Sequence, residues 1–375
     1  MRTNPSTPIN RLILIGNGLD LAHKMKTSYG DFILWYFNDC LTKAKQKFES
    51  GIYQSNAMSG RAMVFENDLM TIQFERNSYP TLKSLNLTNI ADLKAIVKLT
   101  SENRFKNDLN INFKSSFFRS LIQNYCHKNW VDIENHYYES LTKIISSPEK
   151  NTSTGQSSFP KLEILNKNFD IIKKALESYL TTLHNPNLIN DLLDLIYERP
   201  IDSSHLVNGS HDLGNTLFLN FNYTSTPEFY KNENTDIIYI HGKLNDKNNP
   251  IIFGYGDEHD ESYTILEKAN NPEVFTHIKS FDYFKTNNYS RFLSFLESPF
   301  DVYIMGHSCG LSDRTLLSTI FEHDNCRLIK IFYYNNMDRY RETTYEISRH
   351  FKDKAEMRSK VINFSDCSPM PQLPS

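Results

Sequence analysis

From residue 301 to residue 364 the chain alternates strand and helix signals. DVYIMGH (301 to 307), RLIKIFYY (327 to 334) and VINF (361 to 364) are short apolar runs rich in β-prone residues. Between them lie two segments with apolar residues at helical spacing, SDRTLLSTIFEH, entered at Ser312 as an N-cap, and MDRYRETTYEISRHF, starting at Met337. Strand, helix, strand, helix, strand predicts an α/β fold built on a doubly wound parallel sheet.

Further strands are expected at residues 11 to 15, TLFLNFN (216 to 222), DIIYIHG (236 to 242) and PIIFGYG (250 to 256). Residues 26 to 214 differ, with long helical patterns such as FKSSFFRSLIQNYCHKNWVDIENHYYESLTKII and little strand signal. The expected organisation is a nucleotide-binding domain made of residues 1–25 and 215–375, with a large helical insertion at 26–214 covering or gating its crevice. PEKNTSTGQSSFP (148 to 160) is expected to be an exposed loop of that insertion.

RLILIGNGLDLAH, residues 11 to 23, is a strand that ends in Gly-Asn-Gly and a helix expected to begin near Leu19. Such a junction directs free N–H groups and the positive end of the helix dipole outward, where Gly16 and Gly18 lack a Cβ to hold a phosphate away. The chain has 13 glycines. Seven of them (Gly16, Gly18, Gly242, Gly254, Gly256, Gly306 and Gly310) fall at the ends of four expected strands, where an open α/β sheet binds its ligand. Polar residues accompany them: Asn17 and Asp20, Asn222 and Thr224, His241, then His307, Ser308 and Asp313.

Forty-one Lys and Arg against 44 Asp and Glu give a formal charge of −3, which supplies no general field for nucleic acid or an acidic membrane surface. No apolar run approaches a membrane span and MRTNPSTPIN lacks a signal-peptide core, so a cytoplasmic location is expected. The five cysteines are odd in number and contain no C-x-x-C pair, which reads as reduced thiols. No metal site is expected: Asp257, Glu258, His259, Asp260 and Glu261 read as a solvated loop.

The ordered set ILIGNGLDLAH, NWVDIE, FNYTST, IHG, IIFGYG and GHSCGLSDRTLL resembles the AbiH family of bacterial phage-defence (abortive infection) proteins, over about residues 11 to 334. The sheet region alone is similar to sirtuin-like, Rossmann-type NAD-binding domains. That resemblance implies that Gly16 and Gly18 form the Gly-x-Gly turn, Asn222 the Asn of a Thr-Gln-Asn-Ile-Asp stretch, His241 and Gly242 the His-Gly, and Gly306 and Ser308 the last loop. Thr224 stands where that pattern has Asp, His307 where it has Thr, and the zinc cysteines of deacetylating sirtuins are absent.

The resemblance implies anti-phage defence through NAD, as ligand or as substrate of a glycohydrolase. Nicotinamide release passes through an oxocarbenium-like state and needs a base and a held water. His241 is the base candidate, Asn222 would orient water or ribose, and Asp20 would face the developing cation. Gly16, Asn17, Gly18, Thr224, Gly306, His307 and Ser308 would bind the nucleotide. Two rivals stay open. One is a sensor that binds an ADP-ribose-type nucleotide without turnover. The other is a serine esterase, since Gly306-His307-Ser308-Cys309-Gly310 fits G-x-S-x-G, with Asp324 or Asp338 and His350 as triad partners. Expected partners are a small-molecule nucleotide and a phage trigger, with a homo-oligomer left open and neither membrane nor nucleic acid expected. Trp130, Asp132 and Glu134 carry the family resemblance within the insertion.

Overall fold

The computed structural model describes residues 8–50, 62–75, 79–101, 109–128, 132–146, 159–200, 211–258 and 260–374. Its strands are β1 (Ile9–Ile15), β2 (Ala62–Glu66), β3 (Met70–Glu75), β4 (Leu109–Phe113), β5 (Leu213–Asn220), β6 (Thr235–Tyr239), β7 (Phe300–Met305) and β8 (Cys326–Phe332). The chain divides into two compact units, one of Met1–Thr27, Leu180–Lys268 and His277–Ser375, the other of Ser28–Tyr179 and Ala269–Thr276.

The first unit contains a five-stranded sheet in the order β6-β5-β1-β7-β8, with every pair parallel. Successive side chains feed opposite cores. Leu12, Leu14, Val302, Ile304, Ile329 and Ile331 pack with Phe292, Leu316 and Ile320 on one face, whereas Ile13, Ile15, Phe218, Met305 and Phe332 pack with Leu19, Leu192 and Ile196 on the other. A sheet covered on both faces has no polar side, which is why its strands read as continuous apolar runs. Counted along this sheet, the order is third, second, first, fourth, fifth. It therefore reverses between β1 and β7, the kind of position at which open α/β sheets bind their ligands.

Two expected strands are corrected. Residues 250 to 256 form no strand: Ile251, Ile252 and Phe253 are buried in a loop that makes a single bridge, Tyr255 with Ile278. A Cβ on Gly254 would lie 2.1 Å from the His277 carbonyl oxygen, so this glycine serves loop packing. VINF contributes one bridge, Val361 beside Ile329, before a short turn at Phe364–Asp366. The first helix also starts earlier than expected, at Asn17.

The second unit is not purely helical. Its helices, the longest being Tyr29–Glu49 and Phe159–Leu180, accompany an antiparallel sheet in the order β2-β3-β4. In β3 the side chains of Met70, Ile72 and Phe74 are buried while Gln73 is exposed, the alternation of a strand with one wet face. Residues 180–214 group with the first unit rather than with the insertion, and Leu192 and Ile196 of the helix Asp191–Ile196 belong to its core. Residues 269–276 group with the second unit, where the Asn166 amide donates to the Glu273 carbonyl at 3.0 Å. The loop expected at 148–160 lies outside the described residues except for Phe159 and Pro160, which open the helix Phe159–Leu180. No helix among the described residues is long and apolar enough to cross a membrane.

Candidate functional site

All ten expected site residues lie in the first unit, at or just beyond the carboxyl ends of β1, β5, β6 and β7. The turn after β1 packs backbone against backbone on the turn after β7. A Cβ on Gly16 would stand 2.5 Å from the His307 Cα, one on Gly18 2.7 Å from the Gly306 Cα, and one on Gly306 2.2 Å from the Leu19 nitrogen. The glycines are thus required by the contact between two turns. Backbone N–H groups of the turn after β1 are engaged as well: Gly16 donates to the Met305 carbonyl (3.2 Å), Gly18 to that of Gly306 (2.8 Å) and Leu19 to that of Gly16 (2.9 Å). These three donors are not available to a phosphate.

Asn222, two residues past β5, directs its Nδ2 to the Gly16 carbonyl at 3.0 Å and so ties the β5 loop to the β1 turn. Asp20 is buried beneath them, with one carboxylate oxygen accepting from the Thr224 hydroxyl (2.7 Å) and the other from that of Thr226 (2.5 Å). Burial pushes its carboxyl up to about 6, against the two hydroxyls that favour the anion. Asp20 and Thr224 therefore meet each other, whereas Asn17 is exposed and its side chain accepts from Thr27.

His241 follows β6 and is 4% exposed, with its ring edge-on to Phe221 (5.1 Å) and parallel to Tyr283 (6.5 Å). Its Nε2 lies 3.1 Å from Asp313 Oδ1, without the alignment of a hydrogen bond. The same oxygen accepts from the Lys279 ammonium at 2.9 Å, and Asp313 Oδ2 stands 3.5 Å from His307 Nε2. Burial alone would raise the Asp313 carboxyl, but Lys279 and the two imidazoles outweigh it and hold it well below the usual carboxylate range. Burial and the Lys279 charge push His241 down, so its imidazole is neutral at pH 7. A neutral, buried imidazole beside a fixed carboxylate can accept a proton.

His307 takes the Cys309 N–H on its Nδ1 at 3.0 Å, which leaves Nε2 to carry the proton of the neutral ring. Cys309 adopts φ +55° and is buried, while Ser308 is exposed. His350 spends its Nε2 on the Cys309 carbonyl at 2.8 Å. Among the described residues no histidine hydrogen-bonds the Ser308 hydroxyl, so the triad that an esterase needs is not assembled there.

Sequence reasoning named Asp313 only as a neighbour and passed over Lys279. The N-cap expected at Ser312 falls in the structure on Asp313, whose side chain makes no capping hydrogen bond, and Lys279 lies on no expected strand end. The available signal was slight, a lysine with apolar neighbours at Ile278 and Phe281 but polar ones at His277 and Ser280. In the second unit Asp132 caps the helix Ile133–Ser146 by accepting from the Asn135 N–H, and Glu134 is buried. Trp130 and His259 lie outside the described residues. Asp257 pairs with Arg314 at 3.3 Å, and no group of three or more His, Cys, Asp or Glu side chains among the described residues could hold a metal ion.

A comparison with curated proteins returned no match. Residues 12–335 match the family model described as Bacteriophage abortive infection AbiH, a span that includes the five-stranded sheet from Leu12 of β1 onward, the turn after β1, Asn222, His241 and Asp313. The chain belongs to the AbiH family of bacteriophage abortive infection proteins.

Proposed function

We propose that this protein acts in phage defence by binding NAD at the crevice beyond β1, β5, β6 and β7 and cleaving its nicotinamide–ribose bond. The observation that carries this reading is the convergence, where the strand order reverses, of Asn222 on the Gly16 turn and of a neutral His241 beside the β7 loop. The strand order also agrees with a sirtuin-like, Rossmann-type NAD domain. In the reaction a water oxygen bonds to C1′ of the nicotinamide ribose. The C–N bond breaks with its electron pair going to the nicotinamide nitrogen, and the water proton passes to His241. The products are ADP-ribose and neutral nicotinamide.

Asn222 holds the turn rather than reaching out, so its expected contribution is to keep the β1 and β5 loops in register. Asp20, closed by two threonine hydroxyls, supports the same turn from below. The deep burial of His241 favours, as second reading, a sensor that binds an ADP-ribose-type nucleotide without turning it over.

Nicotinamide release by the purified protein, with NAD affinity measured by calorimetry, tests both. His241→Ala is expected to lower turnover by about 10² to 10⁴, the usual worth of a positioned base, with NAD affinity largely kept. Binding without release by the wild type would select the sensor, and absence of binding would end the NAD reading.

A further inference from the structure

Asp313 is the point at which three buried basic side chains meet. Oδ1 faces His241 Nε2 (3.1 Å) and Lys279 Nζ (2.9 Å), and Oδ2 faces His307 Nε2 (3.5 Å). Lys279 is 1% exposed. Withdrawing an ammonium and a carboxylate from water is unfavourable, and well-packed apolar side chains would often fill the same space at lower cost. A pair of this kind calls for a role beyond filling the core.

The tautomers indicate that role. The Cys309 N–H occupies His307 Nδ1, so the neutral ring carries its proton on Nε2, the atom that faces Asp313. His241 presents the same atom to the same carboxylate. Lys279 keeps Asp313 anionic and supplies a positive charge that discourages protonation of His241. Phe221 packs against both imidazoles, at 5.1 and 4.2 Å between ring centres.

We propose that Asp313, anchored by Lys279, is the positioning residue of this site: it fixes His241 and His307 with Nε2–H toward its carboxylate and leaves Nδ1 of His241 as the proton-accepting atom. The last clause rests on the nicotinamide-releasing reading given above, whereas the tautomer assignment stands without it. The loose His241–Asp313 alignment fits a free enzyme whose catalytic hydrogen bonds tighten when substrate is bound.

Nitrogen NMR of the full-length protein with ¹⁵N-labelled histidine rings reports the tautomers directly, with the His241 signals assigned by their loss in His241→Gln. Both rings are expected as Nε2–H at pH 7. Nδ1–H at His241 would overturn the proposal whether or not the protein hydrolyses NAD. In the activity arm, Asp313→Asn is expected to lower kcat for nicotinamide release at least about 100-fold with KM for NAD changed less than about threefold, and Asp313→Glu to recover part of the loss. Unchanged kcat in folded Asp313→Asn would also overturn it. A wild type that releases no nicotinamide refutes the proposed reaction and leaves the ring spectra to decide the positioning role. Should Asp313→Asn fail to fold, the wild-type spectra decide it alone.

Discussion

Several side chains of the first unit are buried in the protonation state that burial imposes, and His350 isolates that effect most cleanly. Its Nε2 donates to the Cys309 carbonyl and its Nδ1 is buried without a hydrogen-bond partner, so a second proton would have no acceptor. Burial lowers its pKa to about 4. Unfolded, the ring titrates near the ordinary histidine value, and between that value and 4 the unfolded chain binds a proton that the folded protein does not. Stability from this group is therefore intact above about pH 6.5 and is lost as pH falls through 4, by roughly 3 kcal/mol in all. Asp20 and Asp301 act in the opposite sense, since burial pushes both up to about 6 and the folded state then holds the extra protons between their unfolded values and 6. The net acid profile mixes these terms, and a single substitution separates one of them. His350→Gln keeps an N–H donor for the Cys309 carbonyl and removes the titration. Thermal unfolding at pH 7 and pH 4.5 should show the variant losing less stability on acidification than wild type. A wild-type difference that does not change with pH would refute the assignment.

At the scale of elements, the two glycine-bearing turns act as one unit, and their glycines are not equivalent. Gly306 has φ +75° and a Cβ there would meet the Leu19 backbone at 2.2 Å, whereas a Cβ on Gly310 would meet only the Ser308 hydroxyl at 3.7 Å. Gly306→Ala is expected to cost about 2 to 4 kcal/mol, through backbone strain and separation of the turns, while Gly310→Ala should stay within about 1 kcal/mol. Equal melting temperatures for the two variants would show that the turns can part freely. The same contact explains what could be read from the sequence. Gly16-Asn17-Gly18 marked the end of β1 correctly, but the glycine pattern alone could not tell backbone approaching a ligand from backbone approaching another turn. β1, β5, β6, β7 and β8 were legible because a sheet buried on both faces needs continuous apolar runs. PIIFGYG carried the same signal and is a buried loop, since hydrophobicity reports burial rather than hydrogen-bonded pairing. MTIQFE in β3 alternates strictly, yet it is short and set among long helical patterns that masked it. His241 was legible from its position after a strand, and Lys279 was not, because its partner Asp313 lies 34 residues away in sequence.

At the scale of the whole molecule, the chain consists of two units with separate sheets, and every candidate residue belongs to one of them. A ligand held by the first unit should therefore leave a local record along the chain, which hydrogen exchange with and without saturating NAD can read. The amides of Gly16, Gly18 and Leu19 are already bonded within the protein, so little change is expected at that turn despite its place in the site. The change should appear in the loops that follow β5, β6 and β7, at residues 221–226, 241–256 and 306–313. Amides that exchange only through opening of the ligand-binding unit should slow further: at a ligand concentration 100 times Kd the added stability is about 2.7 kcal/mol, close to 100-fold in rate. Amides of β2, β3 and β4 should exchange at the same rate with and without NAD. Protection confined to 62–113 would move the binding site to the other unit. Protection at the turn after β1 without change in the three loops would mean that NAD contacts only that turn, at the end of the central strand, and leaves His241 outside the reaction.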